Sequence, residues 1–282
     1  MTVVTRFAPS PTGPLHLGHA YSAILAHDMA RAHSGRFLLR IEDIDKDRCR
    51  EHWEQAIYDD LTWLGLTWNG PVLRQSERLA SYRTALQSLW DRGLLYPCTC
   101  RRQDIRTALG APQEGAPMHG PDGLVYPGTC RWRLRSGNLR LGDALRLDVA
   151  KAFEGLAPLV FDETGRTAAP QHVDQADFQR RIGDIVLARR DFGTSYHLSV
   201  VVDDAAQGVT HVTRGEDLFD ATAIHVLLQR LLGLPTPTYH HHRLIRDDAG
   251  KRLAKRDDAR ALSKYRAEGA TPQDIRRLIG LG

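Results

Sequence analysis

The chain has no apolar run long enough to cross a bilayer. Its longest stretches, such as LSVVV from Leu198, fall far short of the roughly 20 residues that a spanning helix needs. The start, MTVVTRFAPSP, lacks the basic residues and apolar stretch of a targeting peptide. No membrane partner and a cytoplasmic location are therefore expected. Cysteine is scarce: Cys49, Cys98, Cys100 and Cys130 are the only four. In a reducing compartment so few thiols argue against a disulfide framework. Internal repeats and low-complexity tracts are absent, which sets aside solenoids and long disordered linkers. Neither charge sign dominates, since 38 Lys and Arg face 34 Asp and Glu, giving a net charge of +4 and a pI of about 9.0. That balance is compatible with a polyanionic partner without requiring one.

What is present suits an α/β protein with one large or two modest cores, at 282 residues and 42% hydrophobic content. Val3 to Ala8 predicts a short strand, His16 to Ala32 a helix ended by Ser34-Gly35, and Phe37 to Asp43 a buried strand that turns acidic. Strand, crossover helix and strand in so few residues predict a Rossmann-type parallel half. Helices follow at Glu51–Leu64 and Ser76–Arg92, with apolar residues three and four apart. Composition shifts at Tyr96-Pro97-Cys98. A helix at Arg102–Leu109 and a Gly/Pro-rich loop from Gly110 to Gly123 come next. Short alternating pieces between Arg131 and Val160, such as RWRLR and ALRLDV, predict antiparallel strands. The α/β pattern then returns. Ile185–Ala188, Tyr196–Val202 and Val209–Thr213 read as strands, and Asp220–Leu232 as an apolar helix ended by Gly233.

The chemistry concentrates in RFAPSPTGPLHLGHAYSAIL, from Arg6 to Leu25. His16 and His19 stand one helical turn apart in a first turn whose backbone N–H groups and dipole favour an anion. Gly18 would let a nucleotide approach the backbone. Arg6 and Arg214 fall at expected strand ends, where a planar guanidinium suits a carboxylate. Glu42, ending the second strand, could hold an ammonium group, and Tyr196 could donate its hydroxyl.

HLGH resembles the "HIGH" segment of class I aminoacyl-tRNA synthetases, and RFAPSPTGPLHLGHA resembles their glutamyl/glutaminyl branch. IEDID at Ile41, VTRGEDL at Val212 and the basic RLAKR at Arg252 occur in that branch's order. RLAKR resembles the mobile "KMSKS" loop, with Lys255 in place of its second lysine. Arg252 and Ala254 depart from the pattern, so one hydroxyl donor is missing. The resemblance implies catalytic roles for His16, His19 and Lys255. It implies an ATP site of His16, Gly18, His19 and Lys255, and a glutamate pocket of Arg6, Phe7, Ala8, Pro9, Ser10, Glu42, Tyr196 and Arg214. ATP would come with Mg²⁺. Residues 1–97 and 183–240 would be two halves of the catalytic domain, 98–182 an inserted α+β segment, and 241–282 the KMSKS-like loop with a helical tail. No anticodon-binding domain is expected after Lys255. The resemblance is therefore nearest to the truncated branch that attaches glutamate to queuosine in the anticodon arm of tRNA(Asp). A monomer is expected. A shortened glutamyl-tRNA synthetase and a non-catalytic RNA-binding relative are the alternatives.

Cys98-Thr-Cys100 with Cys130 supplies three thiolates, which suit a structural tetrahedral zinc site that needs a fourth ligand. His119 and Tyr126 are both candidates by residue chemistry. The resemblance, through YPGTC, implies Tyr126. Cys49 is expected to be an ordinary thiol. His240, His241 and His242 invite a metal reading, but neighbours on a strand point to opposite faces.

Overall fold

Two short apolar runs bounded by turn residues pair in parallel at the centre of the structure. They are β1 (Val4–Phe7) and β2 (Arg36–Ile41), with Val4 opposite Arg36 and Phe7 opposite Leu39. The structure is a computed structural model and describes residues 2–109, 119–133, 137–139, 142, 144–246 and 260–282. The crossover between the two strands is α1 (Leu17–Ala32), which buries Leu17, Ala20, Tyr21, Ile24 and Ala30 on one side. Gly35 closes the crossover. A Cβ there would lie 2.1 Å from the Val3 carbonyl oxygen, so only glycine lets β2 start so close to β1.

After α2 (Glu51–Trp63), β3 (Leu73–Arg74) adds to β2 in parallel. A 3₁₀ turn at Gln75–Glu77 leads into α3 (Leu79–Asp91), and β4 (Leu95–Cys98) follows. Next come α4 (Arg102–Leu109) and a hairpin of β5 (His119–Gly120) and β6 (Gly123–Leu124). Then come β7 (Ala144–Leu147), the short α5 (Val149–Ala152), a hairpin of β8 (Leu159–Asp162) and β9 (Pro170–Val173), and α6 (Gln175–Arg181). A strand β10 (Val186–Ala188) completes an antiparallel sheet in the order β10-β7-β4. The final part runs through α7 (Tyr196–Ala206), β11 (His211–Gly215), α8 (Thr222–Leu232), β12 (Thr238–His242), α9 (Leu262–Ala267) and α10 (Pro272–Leu278). β11 and β12 are parallel, and β11 runs beside β1. The Thr210 N–H donates to the Val4 carbonyl at 2.9 Å, and the Val4 N–H donates to Thr210 Oγ1 at 2.8 Å. The parallel strands thus bring the carboxyl ends of β1, β2 and β11 to one edge.

Two expectations are overturned. Tyr196–Val202 is not a strand but the first two turns of α7. The run is apolar and β-branched, and Leu198, Val200 and Val201 are all buried. A short apolar run buried all round carries no period that separates strand from helix, and burial overrides β propensity. The decisive local signal is Ser195, whose Oγ accepts from the Leu198 N–H and caps the helix. Residues 131–133 likewise form a turn rather than a strand, with the Arg133 N–H bonded to the Cys130 carbonyl at 3.0 Å. Residues 134 and 135 lie outside the described residues. Elsewhere the expected helices and strands appear close to their expected bounds, and Gly233 ends α8 at φ 65°.

α7 carries two adjacent buried carboxylates that bolt the layers together. Asp203 accepts from Tyr82 Oη at 2.6 Å, Gln75 Nε2 at 3.1 Å and Arg78 Nε at 3.2 Å. Asp204 accepts from Arg6 Nε at 3.0 Å and from Arg40 Nη1 at 2.6 Å. Burial works against the Asp204 charge, but the two guanidiniums outweigh it and hold its pKa below the usual carboxylate value. Removing one partner of a buried ion pair leaves the others uncompensated, at a cost of about 3–5 kcal/mol. Asp204→Ala is therefore expected to lower unfolding stability by about that amount in urea titration; a loss under about 1 kcal/mol would show the clamp to be unimportant.

Candidate active site

The edge where β1, β2 and β11 end opens into a cavity of about 450 Å³. Arg6, Phe7, Ala8, Pro9 and Ser10 line it from β1 and the following turn, Glu42 from the end of β2, and Tyr196 from the start of α7. Arg214 enters from β11, and His19 and Ser22 from α1. All eight residues expected for the amino-acid pocket therefore converge. Thr12, Ser22, Thr213, Gly215 and Leu218 also line the cavity but were not anticipated. Thr12 lay inside the motif that drew attention to its neighbours. Ser22 lay in the same stretch, and Thr213, Gly215 and Leu218 lay in VTRGEDL beside Arg214, so each stood in a quoted motif without being singled out.

Arg6 is buried and held by Asp204, and its Nη1 donates to the Thr213 carbonyl at 3.4 Å. Arg40, fully buried in β2, donates to Asp204 and, at 3.2 Å, to Glu42 Oε1. A charged residue inside an apolar strand must find partners, and Arg40 finds both carboxylates of the pocket floor. Burial pushes the Glu42 pKa above the ordinary value, and Arg40 and Arg6 counter this only in part. Burial, reinforced by the Glu42 charge, also raises the Tyr196 pKa, so its hydroxyl stays protonated. Arg214 donates through all three nitrogens: Nε to His241 at 3.1 Å, Nη1 to His225 at 2.9 Å and Nη2 to Thr222 at 2.7 Å. The arrangement offers two guanidiniums for carboxylates and one carboxylate for an ammonium.

The two histidines cap α1. His16 is the N-cap, and its Nδ1 accepts from the Gly18 N–H at 3.1 Å. The His16 N–H in turn donates to His19 Nδ1 at 3.2 Å, and the rings lie 3.8 Å apart. Because both Nδ1 atoms accept, a neutral ring at either position carries its proton on Nε2. His19 reaches the cavity, whereas His16 and Gly18 stand at the helix terminus beside it. The chain returns to this point after residues 247–259: His16 forms a β-bridge with Ala261, and the Leu262 N–H donates to the Leu15 carbonyl at 2.8 Å. Lys255, Arg252 and Ala254 lie outside the described residues.

The sulfur atoms of Cys98, Cys100 and Cys130 lie within 4.8 Å of one another. Tyr126 Oη is 3.5 Å from Cys98 Sγ and 3.4 Å from Cys100 Sγ, and accepts from the Cys130 N–H at 2.8 Å. Tetrahedral zinc with bonds of about 2.3 Å to sulfur would set the sulfurs roughly 3.8 Å apart. The 3.5 Å between Cys100 and Cys130 is close to that spacing, so the donor set fits such an ion. Burial opposes the Cys130 thiolate, but hydrogen bonds led by Tyr126 Oη and the Thr99 backbone outweigh it and bring the pKa to about 6. Burial pushes Cys100 up to about 11. Arg146 stacks 3.8 Å over the Tyr126 ring and donates to Cys98 Sγ at 3.4 Å. His119 sits exposed on β5, outside the cluster. Cys49 stands apart from it as well. The histidines of β12 also separate: His241 meets Glu163 and Arg214, His242 Nε2 meets Ser22 Oγ at 2.7 Å, and His240 meets Thr164.

A histidine-capped crossover helix beside a guanidinium-lined cleft at parallel strand ends defines a class of protein. The family model for class I tRNA synthetases (E and Q), catalytic domain, matches residues 2–121 and 169–281. A glutamyl-Q tRNA(Asp) synthetase of Rhodobacter capsulatus is 68% identical over 99% of this chain and 100% of its own length, and one of Albidiferax ferrireducens is 43% identical over 92% of this chain and 86% of its own. The chain belongs to the class I tRNA synthetase family and, within it, to the glutamyl-Q tRNA(Asp) synthetase branch. Among solved structures, a glutamate tRNA ligase of Elizabethkingia meningosepticum in complex with its amino acid superposes with a TM-score of 0.76 at 27% identity. It covers 100% of this chain, which spans only 61% of that ligase. A methionyl-tRNA synthetase of Mycobacterium tuberculosis shares the fold at a TM-score of 0.62 and 10% identity. No helix among the described residues is long and apolar enough to cross a membrane.

Glu42 sets a pH dependence. Its raised pKa means that acidification protonates it earlier than an ordinary glutamate, removing the partner for an amino-acid ammonium. Affinity for an acidic amino acid, measured calorimetrically from about pH 8 to about pH 5, is expected to fall on the acid side. The fall should vanish in Glu42→Gln, whose affinity is weak throughout. A wild-type affinity independent of pH would contradict this role.

Proposed function

We propose that the protein activates L-glutamate with ATP and transfers it to the queuosine base in the anticodon arm of tRNA(Asp). The observation that carries the reading is the convergence of Arg6, Glu42, Tyr196 and Arg214 in one cleft beside the capped helix. The names of the relatives supply the acceptor. In this reading the glutamate ammonium faces Glu42, Arg6 and Arg214 serve its carboxylates, and the RFAPS turn, Arg6 to Ser10, walls the pocket. The cleft lies at the carboxyl ends of a Rossmann-type parallel sheet, where ligands of open α/β folds bind.

ATP places its phosphates at the N-terminus of α1, near Gly18 and the Nε2–H donors of His16 and His19. By resemblance to the KMSKS motif, Lys255 would add a cation for the phosphates. A glutamate α-carboxylate oxygen attacks the α-phosphorus in line, the bond to the bridging oxygen breaks, and pyrophosphate leaves; Mg²⁺ arriving with ATP would neutralise part of the phosphate charge. Positioning and charge neutralisation carry this step. A hydroxyl of the queuosine cyclopentene ring then attacks the adenylate carbonyl, an ester forms, and AMP leaves. No protein nucleophile is needed. The chain would act as a monomer in the cytoplasm.

Cys98, Cys100, Tyr126 and Cys130 are proposed to hold one zinc ion, which would crosslink the inserted segment without joining the chemistry. Chelator-washed protein is expected to retain about one zinc per chain by emission analysis, and Cys98→Ser to lose it. Fully active protein without metal would refute a structural ion.

The alternative acceptor is the 3′ end of tRNA(Glu), which the likeness to a glutamate tRNA ligase keeps in play. Labelled glutamate, ATP and tRNA(Asp), with and without queuosine, separate the two readings. Label is expected only on queuosine-bearing tRNA(Asp), and it should survive prior periodate oxidation of the terminal ribose when the queuosine diol is protected. Label on tRNA(Glu) would establish the alternative. Absence of glutamate-dependent pyrophosphate exchange would leave the synthetase-like, non-catalytic reading.

A further inference from the structure

Arg214 is held by rings rather than by a carboxylate. Both imidazoles it touches must accept, because every guanidinium nitrogen donates. His241 therefore accepts on Nε2 and carries its proton on Nδ1, which lies 2.5 Å from Glu163 Oε2. His225 accepts on Nδ1 and carries its proton on Nε2, which lies 3.0 Å from His197 Nδ1. His197 must then accept on Nδ1 and protonate on Nε2, which lies 3.1 Å from Asp122 Oδ1. The rings of His197, His225 and His241 are buried. Asp122 is exposed, with its side chain 37% accessible, on the turn between β5 and β6.

Arg214 at the inner end and Asp122 at the outer end both require this one order of donors, and the chain is single-valued only while both ends hold. Without a carboxylate at Asp122, His197 could hold its proton on Nδ1 instead. His225 would then have to accept on Nε2 and turn an N–H toward the Arg214 guanidinium, donor against donor. Two positive-edge groups facing each other in a buried site are costly, and the guanidinium would shift.

We infer that Asp122, His197 and His225 form a one-directional hydrogen-bond relay that fixes the orientation of Arg214 for a substrate carboxylate. They are positioning residues, and the inference rests on the reading that Arg214 serves glutamate. The Glu163–His241 pair is the second, shorter arm of the same clamp. A residue of the β5–β6 turn thus acts on the amino-acid pocket without touching the amino acid.

The test pairs kinetics with ring tautomers. In ATP–pyrophosphate exchange, Asp122→Ala is expected to raise the glutamate KM by about tenfold, the scale on which a small misplacement of a binding group acts. The ATP KM and kcat should stay within about twofold. Asp122→Asn, which keeps an acceptor oxygen, should largely restore the glutamate KM. Nitrogen-15 NMR of the histidine rings should place the proton on Nε2 of both His197 and His225 in the wild type, with that single form lost in Asp122→Ala. Other tautomers in the wild type would overturn the relay. Wild-type tautomers as stated with an unmoved glutamate KM in Asp122→Ala would overturn its positioning role. A wild type that binds ATP but shows no glutamate-dependent exchange would instead overturn the glutamate reading, and the inference with it.

Discussion

The contact of Asp204 with Arg6 and Arg40 is the constraint on which the rest depends. Its two guanidinium partners come from β1 and β2, and it stands on α7, so one carboxylate joins three elements that are far apart in sequence. Buried charges tolerate little displacement, because each loses several kcal/mol of compensation when a partner moves away. The pocket inherits that rigidity. Arg6 lines the cavity, Arg40 steadies Glu42, and Tyr196 stands about two turns earlier on the helix that carries Asp204. Asp203 extends the clamp toward α3 through Tyr82 and Arg78. The same few charges therefore hold the fold and aim the site, and a change that loosens one loosens the other.

The legible parts of the sequence were those whose signal is local. The strand–helix–strand start is announced by two apolar runs, a proline-rich turn and a histidine pair, and the structure places it as expected. The cysteines announced their cluster by spacing, and the tyrosine of YPGTC was placed with them by resemblance. The illegible parts were those decided by tertiary context. VVV reads as strand by propensity, yet the segment is helical because it is buried on every side and capped by Ser195. Asp203 and Asp204 follow an apolar run, and nothing local marks them as the residues that tie its helix to α3, β1 and β2. Arg40 was visible as a charge inside FLLRIED, and its burial could have prompted the search for a carboxylate. The partner, 164 residues away, could not be read from the sequence. The three consecutive histidines of β12 divided among different partners, as alternation on a strand requires, but nothing in the sequence said that His241 would face Arg214.

The electrostatics of the cleft also bear on which amino acid it suits. Arg6 and Arg40 face Asp204 and Glu42, so this floor is close to neutral when all four are ionised. Arg214 adds a positive charge that its immediate partners leave in place. Burial and the guanidinium itself bring the His241 pKa down to about 4 and hold His225 well below its ordinary value, so both rings stay neutral. Glu163 stands on the far side of the His241 ring and is already occupied by the N–H groups of Gly165, Arg166 and His241. The Arg214 end therefore carries a positive charge that its rings leave in place, while at the other end Glu42 offers a carboxylate in a floor that is close to neutral. An amino acid with an ammonium at one end and an anionic side chain at the other matches that polarity, whereas a neutral amide would leave the Arg214 charge uncompensated in a desolvated pocket. Holding the arginine with imidazoles rather than with a carboxylate is what keeps its charge available to the ligand. In the proposed reading, where Arg214 meets the side-chain carboxylate, selection for the acid over its amide resides less in Arg214 itself than in the neutrality of the rings around it.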